Sequence, residues 1–323
     1  MDVMVTGGAG YIGSVIALRL LARGHRVTVF DDLSRGHRDA VPAGATLVRG
    51  DVRDERQVAE ALRQAGCKAV VHMAALAEVG ESVEHPARYH DVNVGGTAAV
   101  AAAATTCGVC GLVFSSTAAV YGAPEHVPID EHHTLAPTNP YGDTKLACER
   151  LLRRATEAGG PAVIALRYFN ACGADGPCGE DHDPESHLIP LALRAARDGR
   201  ELLVFGDDYP TPDGTCVRDY VHVADLADAH IAALEALPDV QGAFNLGTGH
   251  GDTVQNVADT VQRVTGLTLR RQIGERRAGD PPELVATNAR AKARLGWRPQ
   301  RSLDDAVRDA WTWMLSHPEG YGD

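Results

Sequence analysis

Short apolar runs alternate with longer amphipathic stretches through the first half of the chain. The apolar runs at residues 3–6, 25–30, 45–50, 67–75, 111–116 and 163–170 predict strands, whereas the stretches at 14–23, 53–65, 86–106 and from 140 onward predict helices. Apolar strands that are separated by helices predict a parallel sheet with both faces covered. The pattern therefore predicts an α/β fold built on a doubly wound parallel sheet.

The pattern changes after about residue 171. Residues 171–186 are rich in glycine, proline and acidic side chains and predict a long loop. Shorter elements follow, namely helices at 188–197, 226–237, 254–264 and 302–317 and strands at 202–205, 216–222 and 243–247. The last of these strands is expected to return to the main sheet. We expect a main domain over residues 1–170, joined by segments near 225–250, and a smaller C-terminal lobe over residues 171–323 that closes over the strand ends.

The first apolar run ends in a glycine-rich turn, Thr6-Gly-Gly-Ala-Gly-Tyr-Ile-Gly13. Its glycines fit the spacings G-x-G-x-x-G and G-x-x-G-x-x-G, which let a backbone approach a pyrophosphate at a helix N-terminus. The next strand is followed by Asp31, whose carboxylate can accept both ribose hydroxyls and would repel a 2′-phosphate. A Rossmann-like domain that binds NAD is therefore expected, although the nearby Arg35 weakens the argument against NADP slightly.

The ends of the predicted strands indicate where the cofactor lies. In open parallel sheets, ligands bind beyond the carboxyl ends of the strands. We therefore expect the cofactor to be surrounded by the strand-end residues Gly7, Asp31, Asp51, Ala75, Ser116 and Asn170.

Candidate acid–base chemistry lies in the stretch Asn139-Pro-Tyr-Gly-Asp-Thr-Lys145. Pro140 predicts the first turn of a helix, so Tyr141 and Lys145, four residues apart, share one helix face. A tyrosine base at neutral pH needs its pKa lowered by roughly 3 units, about 4 kcal/mol, and a nearby ammonium is the simplest source of that shift. Lys145 is one of only three lysines in a chain that otherwise uses arginine. The spacing alone also fits an exposed helix face.

Composition narrows the class of protein. The chain has 323 residues, of which 44% are hydrophobic and 23% charged, as in soluble globular proteins. A formal net charge of −12 argues against a general nucleic-acid binder. The N-terminus lacks the features of a signal peptide, and no run reaches about 18 uninterrupted apolar residues. We expect a cytoplasmic protein that binds neither nucleic acid nor membranes.

Two short motifs have the spacing of metal ligands, but no metal site is expected at either. Seven cysteines, an odd number, are typical of free thiols in a reducing compartment. Cys107-x-x-Cys110 has no second pair and falls between a predicted helix and a predicted strand. Glu180-Asp-His-Asp183 could bind a divalent ion, but a solvated acidic loop is the expected structure.

Longer motifs resemble those of a known family. The motifs Thr6-Gly-x-x-Gly-x-x-Gly13, Asn93, Ser115-Ser116-Thr117 and Tyr141-x-x-x-Lys145 resemble, in that order, those of the extended short-chain dehydrogenase/reductase superfamily. Within it, residues 8–14, 114–122, 167–170, 207–211 and 214–228 resemble the family of UDP-glucose 4-epimerases. The resemblance covers essentially the whole chain. It implies an NAD-dependent isomerase that interconverts UDP-galactose and UDP-glucose by oxidation at C4, rotation of the 4-keto sugar and reduction of its other face.

The resemblance also implies roles for individual residues. The implied catalytic residues are Tyr141 as the base for the sugar 4-hydroxyl, Lys145, Thr117 and Ser116. The implied cofactor contacts are Gly7, Gly10, Tyr11, Ile12, Gly13, Asp31, Asp32, Leu33, Ser34, Arg35, Gly36, Asp51, Val52, Met73, Ala74, Ala75, Ala77, Asn93, Ser115, Tyr141, Lys145, Tyr168 and Phe169. The implied substrate contacts are Thr117, Asn170, His187, Leu188, Leu203, Val204, Phe205, Arg218, Tyr220, Arg277 and Asp280.

Two departures from the family pattern leave alternatives open. Ala77 stands where some members have a lysine near the cofactor, so one contact is in doubt. Leu284 is intermediate between the bulky and small residues that the family has at this position, so the preference among UDP-hexoses, N-acetylated sugars and pentoses stays open.

Two other functions are less favoured. A sugar-nucleotide 4,6-dehydratase typically needs Asp-Glu after the strand-end threonine, where this chain has Ala118-Ala119. A non-catalytic NAD-sensing scaffold would lose Tyr141 or Lys145, and both are present. The alanine-rich helix around residues 98–104 and the Tyr141 helix resemble a pair that forms dimers in the superfamily, so a homodimer is expected.

Overall fold

The computed structural model describes residues 1–277 and 279–322. The strands are β1 Asp2–Thr6, β2 Arg26–Asp31, β3 Thr46–Arg49, β4 Ala69–His72, β5 Gly111–Thr117, β6 Ala162–Tyr168, β7 Asn170–Cys172, β8 Glu201–Phe205, β9 Val217–Arg218, β10 Tyr220–His222, β11 Gly242–Leu246, β12 Asp252–Thr253, β13 Arg270–Gly274 and β14 Glu283–Leu284. The α-helices are α1 Tyr11–Ala22, α2 Glu55–Ala65, α3 Val79–Glu84, α4 Pro86–Tyr89, α5 Gly96–Thr106, α6 Pro140–Glu157, α7 Leu188–Asp198, α8 Val223–Ala236, α9 Val254–Thr265, α10 Ala289–Leu295 and α11 Leu303–Ser316.

Seven parallel strands form the main sheet, in the order β11-β6-β5-β4-β1-β2-β3. The predicted doubly wound α/β fold is therefore confirmed, and β11 returns to this sheet as expected. The strand order reverses direction between β1 and β4, where ligands of such sheets bind.

Two hydrophobic layers cover the faces of the main sheet. Helices α1 and α8 pack on one face, where Ile16 and Ile231 are fully buried. Helices α2, α5 and α6 pack on the other, around Leu62 and Leu152. Because successive residues of a strand point to opposite faces, both sides of each strand must be apolar, which explains why these strands read as continuous apolar runs.

The predicted helix 86–106 is continuous but irregular. A π-helical segment, His90–Gly95, separates α4 from α5, and the residues at both junctions keep right-handed helical dihedral angles. Such π-bulges are frequent at functional sites. Here the wider turn contains Asn93, which faces the carboxyl ends of the strands through hydrogen bonds described below.

The C-terminal lobe has a core of its own, built mainly by α7, α9 and α11 with β8. The predicted strand 216–222 is divided into β9 and β10 by Asp219, which is fully buried. Its carboxylate accepts hydrogen bonds from the backbone of Thr248 (2.8 Å) and Ala286 (3.2 Å). These bonds hold the chain where it changes partner, from the small sheet β12-β9-β14 to the pair β10-β7.

Several short elements were not predicted, among them α3, α10 and β13. In the described ranges, none of the helices combines the length and the apolar character that crossing a membrane requires.

Candidate active site

The glycine turn has the geometry of an anion-binding site. Gly7 has φ +69°, and a Cβ there would lie 2.6 Å from Ala74 N. A Cβ on Gly13 would overlap the Gly7 carbonyl oxygen. The N-cap of α1 is Gly10, which has no side chain to cap the helix, so the first N–H groups of α1 stay available for a phosphate.

Asp31 lies at the end of β2 and is buried. Its carboxylate accepts hydrogen bonds from the N–H groups of Ala9 (3.0 Å) and Leu33 (2.9 Å), and its exposure is only 7%. Burial raises the pKa of Asp31, and these two hydrogen bonds oppose that rise. The same contact holds Leu33 at φ +62°, in the left-handed region that non-glycine residues rarely adopt.

Arg35 does not face Asp31 as a free cation. Both oxygens of Glu81 lie 3.0 Å from its Nη2 atom. A guanidinium that is already paired offers little to a ribose 2′-phosphate, so the structure removes the slight argument for NADP.

The other predicted cofactor contacts flank this turn. Asn93 is buried and fastens the loop after β4 to α6, since its Oδ1 accepts from Leu76 N–H (2.8 Å) and its Nδ2 donates to Thr144 Oγ1 (3.0 Å). Asp51 is paired with Arg53, whose hydrogen bonds lower the pKa of that carboxyl. The remaining members follow β2, β3, β4 or β6 or begin α1, and they are Tyr11, Ile12, Asp32, Ser34, Gly36, Val52, Met73, Ala74, Ala75, Ala77, Tyr168 and Phe169. This shell of residues fits a dinucleotide.

Tyr141 and Lys145 lie one turn apart at the start of α6. Asn139 caps this helix by accepting a hydrogen bond from Gly142 N–H at 2.9 Å, and Pro140 occupies the first turn as predicted. The Lys145 ammonium lies 5.9 Å from the centroid of the Tyr141 ring and donates to the Ser115 carbonyl at 2.8 Å. The lysine is 3% exposed, so the helix places a buried cation beside the phenol.

The pKa values of this pair differ from the simple expectation. Burial raises the pKa of Tyr141 to about 12, and the hydrogen bond with Thr117 opposes that rise. Burial lowers the pKa of Lys145 to about 8. Because the amine loses its proton first, it is neutral when the phenol titrates and does not lower the phenol's pKa there. The protein alone therefore lacks the expected depression of the Tyr141 pKa, and Lys145 stabilises the phenolate only in the fraction of molecules in which the amine keeps its proton.

The three hydroxyl residues at the end of β5 do not share one environment. Thr117 lies near Tyr141, where its hydroxyl lowers the pKa of the phenol. Ser115 Oγ hydrogen-bonds to the Tyr168 hydroxyl, on the same face of the strand as Thr117. Ser116 lies on the opposite face and donates to Glu149, which pairs with Arg167 (2.6 Å). The structure thus engages the predicted catalytic hydroxyl of Ser116 in a buried ionic network.

That network was missed by the sequence analysis. Arg167 also donates to the Tyr121 hydroxyl (2.9 Å), which donates to Asn245 Oδ1 (2.6 Å). The network links β5, β6 and β11 with α6, the helix that also carries Tyr141. The available sequence signal was Arg167, a charged residue inside an apolar predicted strand.

The C-terminal lobe presents cations toward the proposed substrate site. Arg218 Nη1 donates to the carbonyls of Val217 (2.9 Å) and Pro281 (3.0 Å), while its Nη2 lies 3.6 Å from Asp280. The Arg277 guanidinium lies 4.0 Å from the centroid of the Phe205 ring. One face of that ring is therefore already covered by a cation.

The other predicted substrate contacts have mixed surroundings. Asn170 donates to the Asp219 carbonyl, and His187 occupies the N-cap position of α7, just before Leu188, without a capping hydrogen bond from its side chain. Leu203 is exposed, whereas Val204 is 1% exposed and packs in the core of the lobe. Tyr220 lies in β10, where burial raises its pKa. Val204 therefore supports the lobe with its side chain and does not offer it to a ligand.

Comparison with known proteins agrees with this geometry. The NAD dependent epimerase/dehydratase family matches residues 3–247. A UDP-glucose 4-epimerase from Streptomyces lividans is 49% identical over 323 residues, covering 99% of this chain and 98% of that protein. The structure of UDP-glucose 4-epimerase from Brucella ovis in complex with NAD is similar with a TM-score of 0.93 and 46% identity, covering 96% and 97%. The enzyme from Bifidobacterium longum in complex with NAD⁺ and UDP also gives 0.93, at 35% identity and with 99% and 100% covered.

Family membership follows from three independent features, namely the parallel sheet with its glycine turn, the Tyr141–Lys145 pair, and the similarity over the full length of the chain. The chain belongs to the NAD-dependent epimerase/dehydratase family and, within it, to the UDP-glucose 4-epimerases.

Proposed function

We propose that this chain interconverts UDP-galactose and UDP-glucose by reversible oxidation at C4 of the sugar. The observation that carries the proposal is the buried Lys145 ammonium, which lies 5.9 Å from the centroid of the Tyr141 ring, beside Thr117 at the end of β5. Only β4 separates β5 from β1, whose end carries the glycine turn, and adjacent strands lie about 4.8 Å apart. A sugar hydroxyl and a dinucleotide can therefore meet there.

Different residues of this chain bind the cofactor and transfer the proton. The glycine turn and Asp31 hold and orient the dinucleotide. When bound, NAD supplies a hydride acceptor that is regenerated in each cycle, so the cofactor is not consumed. Tyr141 takes the proton from the sugar 4-hydroxyl and returns it, Thr117 bridges the hydroxyl and the phenol, and Lys145 stabilises the phenolate electrostatically.

The second lobe binds the nucleotide part of the substrate, which inversion at C4 requires. The sugar must present both faces in turn, so the nucleotide has to be held firmly while the hexose makes few directional contacts. The backbone hydrogen bonds of Arg218 both use Nη1, and its Nη2 lies 3.6 Å from Asp280, so a phosphate would bind at Nε and compete with Asp280 for Nη2. Arg277, beside Phe205, supplies a second cation. A uracil base would stack on the free face of Phe205.

A product-resolved assay tests the proposal. UDP-galactose is added to the NAD-saturated protein, and UDP-glucose is measured with a coupled dehydrogenase. Tyr141→Phe should abolish turnover and retain UDP binding, whereas Tyr321→Phe, which alters a buried tyrosine outside the site, should remain active. Full activity of Tyr141→Phe would refute the assignment.

A wider substrate range is the second candidate. Leu284 pairs with Arg218 in the parallel β14–β9 ladder and packs in a cluster with Phe169. A side chain of intermediate size there favours tolerance of UDP-N-acetylglucosamine or UDP-pentoses. A 4,6-dehydratase is less favoured, because Ala118–Val120 forms a short 3₁₀ turn without an acidic side chain.

We also propose a homodimer and a cytoplasmic location. Helices α5 and α6 pack against the same face of the sheet, and the small residues Ala98, Ala99 and Ala102 are only partly covered. Small side chains allow close approach of a second helix pair. All seven cysteines are free, as is usual in a reducing compartment. Sedimentation that gives only monomer at micromolar concentration would overturn the dimer.

A further inference from the structure

Two glutamates and two histidines of the loop between β7 and α7 converge on one point. Glu180, His182, Glu185 and His187 each offer one ligand atom, and these four atoms all lie within 4.8 Å of one another. The sequence predicted a solvated acidic loop here. Instead, the side chains of Glu180 and Glu185 are only 7% and 1% exposed. The two carboxylates are therefore buried, whereas the side chains of His182 and His187 are 29% and 46% exposed.

The distances within the cluster are close to those of a coordination shell. His187 Nδ1 lies 2.7 Å from Glu180 Oε1 and 3.1 Å from Glu185 Oε1. His182 Nδ1 lies 3.3 Å and 4.0 Å from the same two oxygens. Around a tetrahedral zinc ion with bonds of about 2.0–2.1 Å, neighbouring donor atoms lie about 3.3 Å apart. Small side-chain movements would therefore place all four donors around one ion.

Unsatisfied atoms point to the same conclusion. His182 Nδ1 and Glu185 Oε2 are buried, and neither finds a hydrogen-bond partner in the part of the chain that the structure describes. Each such group costs about 1–3 kcal/mol when it is left unpaired. The His187 ring also faces two buried carboxylates. A bound cation would coordinate His182 Nδ1 and add positive charge beside the Glu185 carboxylate, whose Oε2 lies 3.9 Å from Arg194 Nη2.

We propose that Glu180, His182, Glu185 and His187 bind one divalent transition-metal ion, with Zn²⁺ as the best match. Imidazole nitrogen combined with carboxylate oxygen suits zinc, whereas Mg²⁺ and Ca²⁺ prefer shells made only of oxygen. The motif E-x-H-x-x-E-x-H supplies the full set from eight consecutive residues, so the loop can form the site without help from another chain.

The position of the site gives the ion a structural role. The His182 ring packs edge-on against Tyr11, with 6.3 Å between the ring centroids, and Tyr11 donates to the Gly173 carbonyl at 2.6 Å. His187 is the N-cap of α7. The ion would therefore fasten the loop to both the glycine turn and the second lobe. With Nδ1 on the metal, His187 keeps Nε2 as a donor of fixed tautomer for a substrate phosphate. This last consequence rests on the proposed function, whereas the metal site itself does not.

The test is metal binding by the full-length protein, stripped with a chelator and dialysed. Isothermal titration with Zn²⁺ alone should give one ion per chain, and Co²⁺ should give d–d absorption typical of nitrogen and oxygen ligands. The variant His182→Gln/Glu185→Gln should weaken zinc binding at least about 100-fold, since loss of an outer-shell partner alone costs roughly 10–100-fold. Asp183→Asn removes an exposed carboxylate from the same loop and should leave binding unchanged.

Three results would overturn the proposal. These are fewer than one ion per chain in the wild-type protein, equal affinities in the double variant and in Asp183→Asn, and a thiolate charge-transfer band from Co²⁺, which would place the ion on a cysteine. Should the double variant fail to fold, the wild-type Co²⁺ spectrum decides. None of these results affects the assay for epimerisation, so the two proposals fail separately.

Discussion

Removal of the Lys145 ammonium measures how strongly the protein stabilises the Tyr141 phenolate. The ammonium lies 5.9 Å from the centroid of the phenol ring, and the lysine is 3% exposed. At an effective dielectric constant of about 20, two unit charges at that distance interact by about 2.8 kcal/mol, or about 2 pKa units. The phenol's pKa of about 12, which applies when the amine is neutral, therefore falls to about 10 when the amine is charged.

This coupling fixes the expected loss of activity. Lys145 titrates near pH 8, so at pH 7 about one Tyr141–Lys145 pair in ten has lost a proton. In about 1% of these pairs the proton has left the phenol, which gives a phenolate beside an ammonium. The fraction of enzyme that holds a phenolate beside a charged Lys145 is then about one in a thousand. Without the lysine, a phenol with a pKa of about 12 gives about one phenolate in 10⁵ at pH 7. Lys145→Met should therefore lower kcat about 100-fold at pH 7.

The assay is a pH–rate profile of kcat for NAD-saturated enzyme. The wild-type rate should rise with pH and level off near pH 8, whereas the rate of Lys145→Met should still be rising at pH 10. Any charge on the bound cofactor shifts the pH–rate profiles of the wild type and of Lys145→Met alike, so the difference between the two profiles stays the same. Lys292→Met, at an exposed lysine, is the matched control and should follow the wild type. A Lys145→Met profile that levels off at the wild-type pH, or a loss of less than about 3-fold, would refute the electrostatic argument.

Three further predictions concern stability, specificity and cofactor choice. Burial lowers the pKa of His72 to about 3, so the unfolded state takes up this proton first. His72 should therefore contribute a fall in the free energy of unfolding of about 1.4 kcal/mol per pH unit between pH 6.5 and pH 3. Urea titrations should show a shallower fall for His72→Gln, and equal slopes would contradict this. Leu284→Ser should raise kcat/KM for UDP-N-acetylglucosamine relative to UDP-glucose by about 10-fold or more, and Leu284→Tyr should lower it, because one bulky group in a pocket is worth about 1–3 kcal/mol. Glu81→Gln frees Arg35 and should raise the affinity for NADP⁺ relative to NAD⁺ a few-fold in fluorescence titrations, with Asp31 still favouring NAD⁺; no change would show that Arg35 is out of reach.

The fold followed from the sequence because both faces of the main sheet are buried. Strands such as β1 and β4 read as unbroken apolar runs, and each is followed at its end by a residue that the architecture needs, such as Gly7. The start of α6 was equally clear, since Asn139 and Pro140 occupy the cap and first-turn positions that the sequence indicates. These features depend on local chemistry alone.

Features that depend on tertiary contacts were not predictable in this way. Ser116 and Thr117 are both hydroxyl residues at one strand end, and only the parity of β5 decides that Thr117 meets Tyr141 while Ser116 meets Glu149. Asp219 divides a predicted strand because its buried carboxylate binds backbone from two distant loops. The exposure of an acidic loop was likewise misjudged, since Glu180 is covered by residues that a linear pattern does not place beside it.

The ladder between β9 and β14 explains how nucleotide binding and sugar specificity can be separated in this fold. Arg218, the proposed phosphate anchor, is held by the carbonyls of Val217 and Pro281, which belong to the two strands or adjoin them. Leu284 pairs with Arg218 in register, yet its own side chain packs against the hydrophobic cluster that contains Ile129 and Leu146. The backbone of this ladder therefore fixes the position of Arg218, whereas the side chain at position 284 determines how much space the sugar pocket has. A substitution at position 284 should change which sugars fit while UDP affinity stays within about 3-fold, because no hydrogen bond of Arg218 involves the Leu284 side chain.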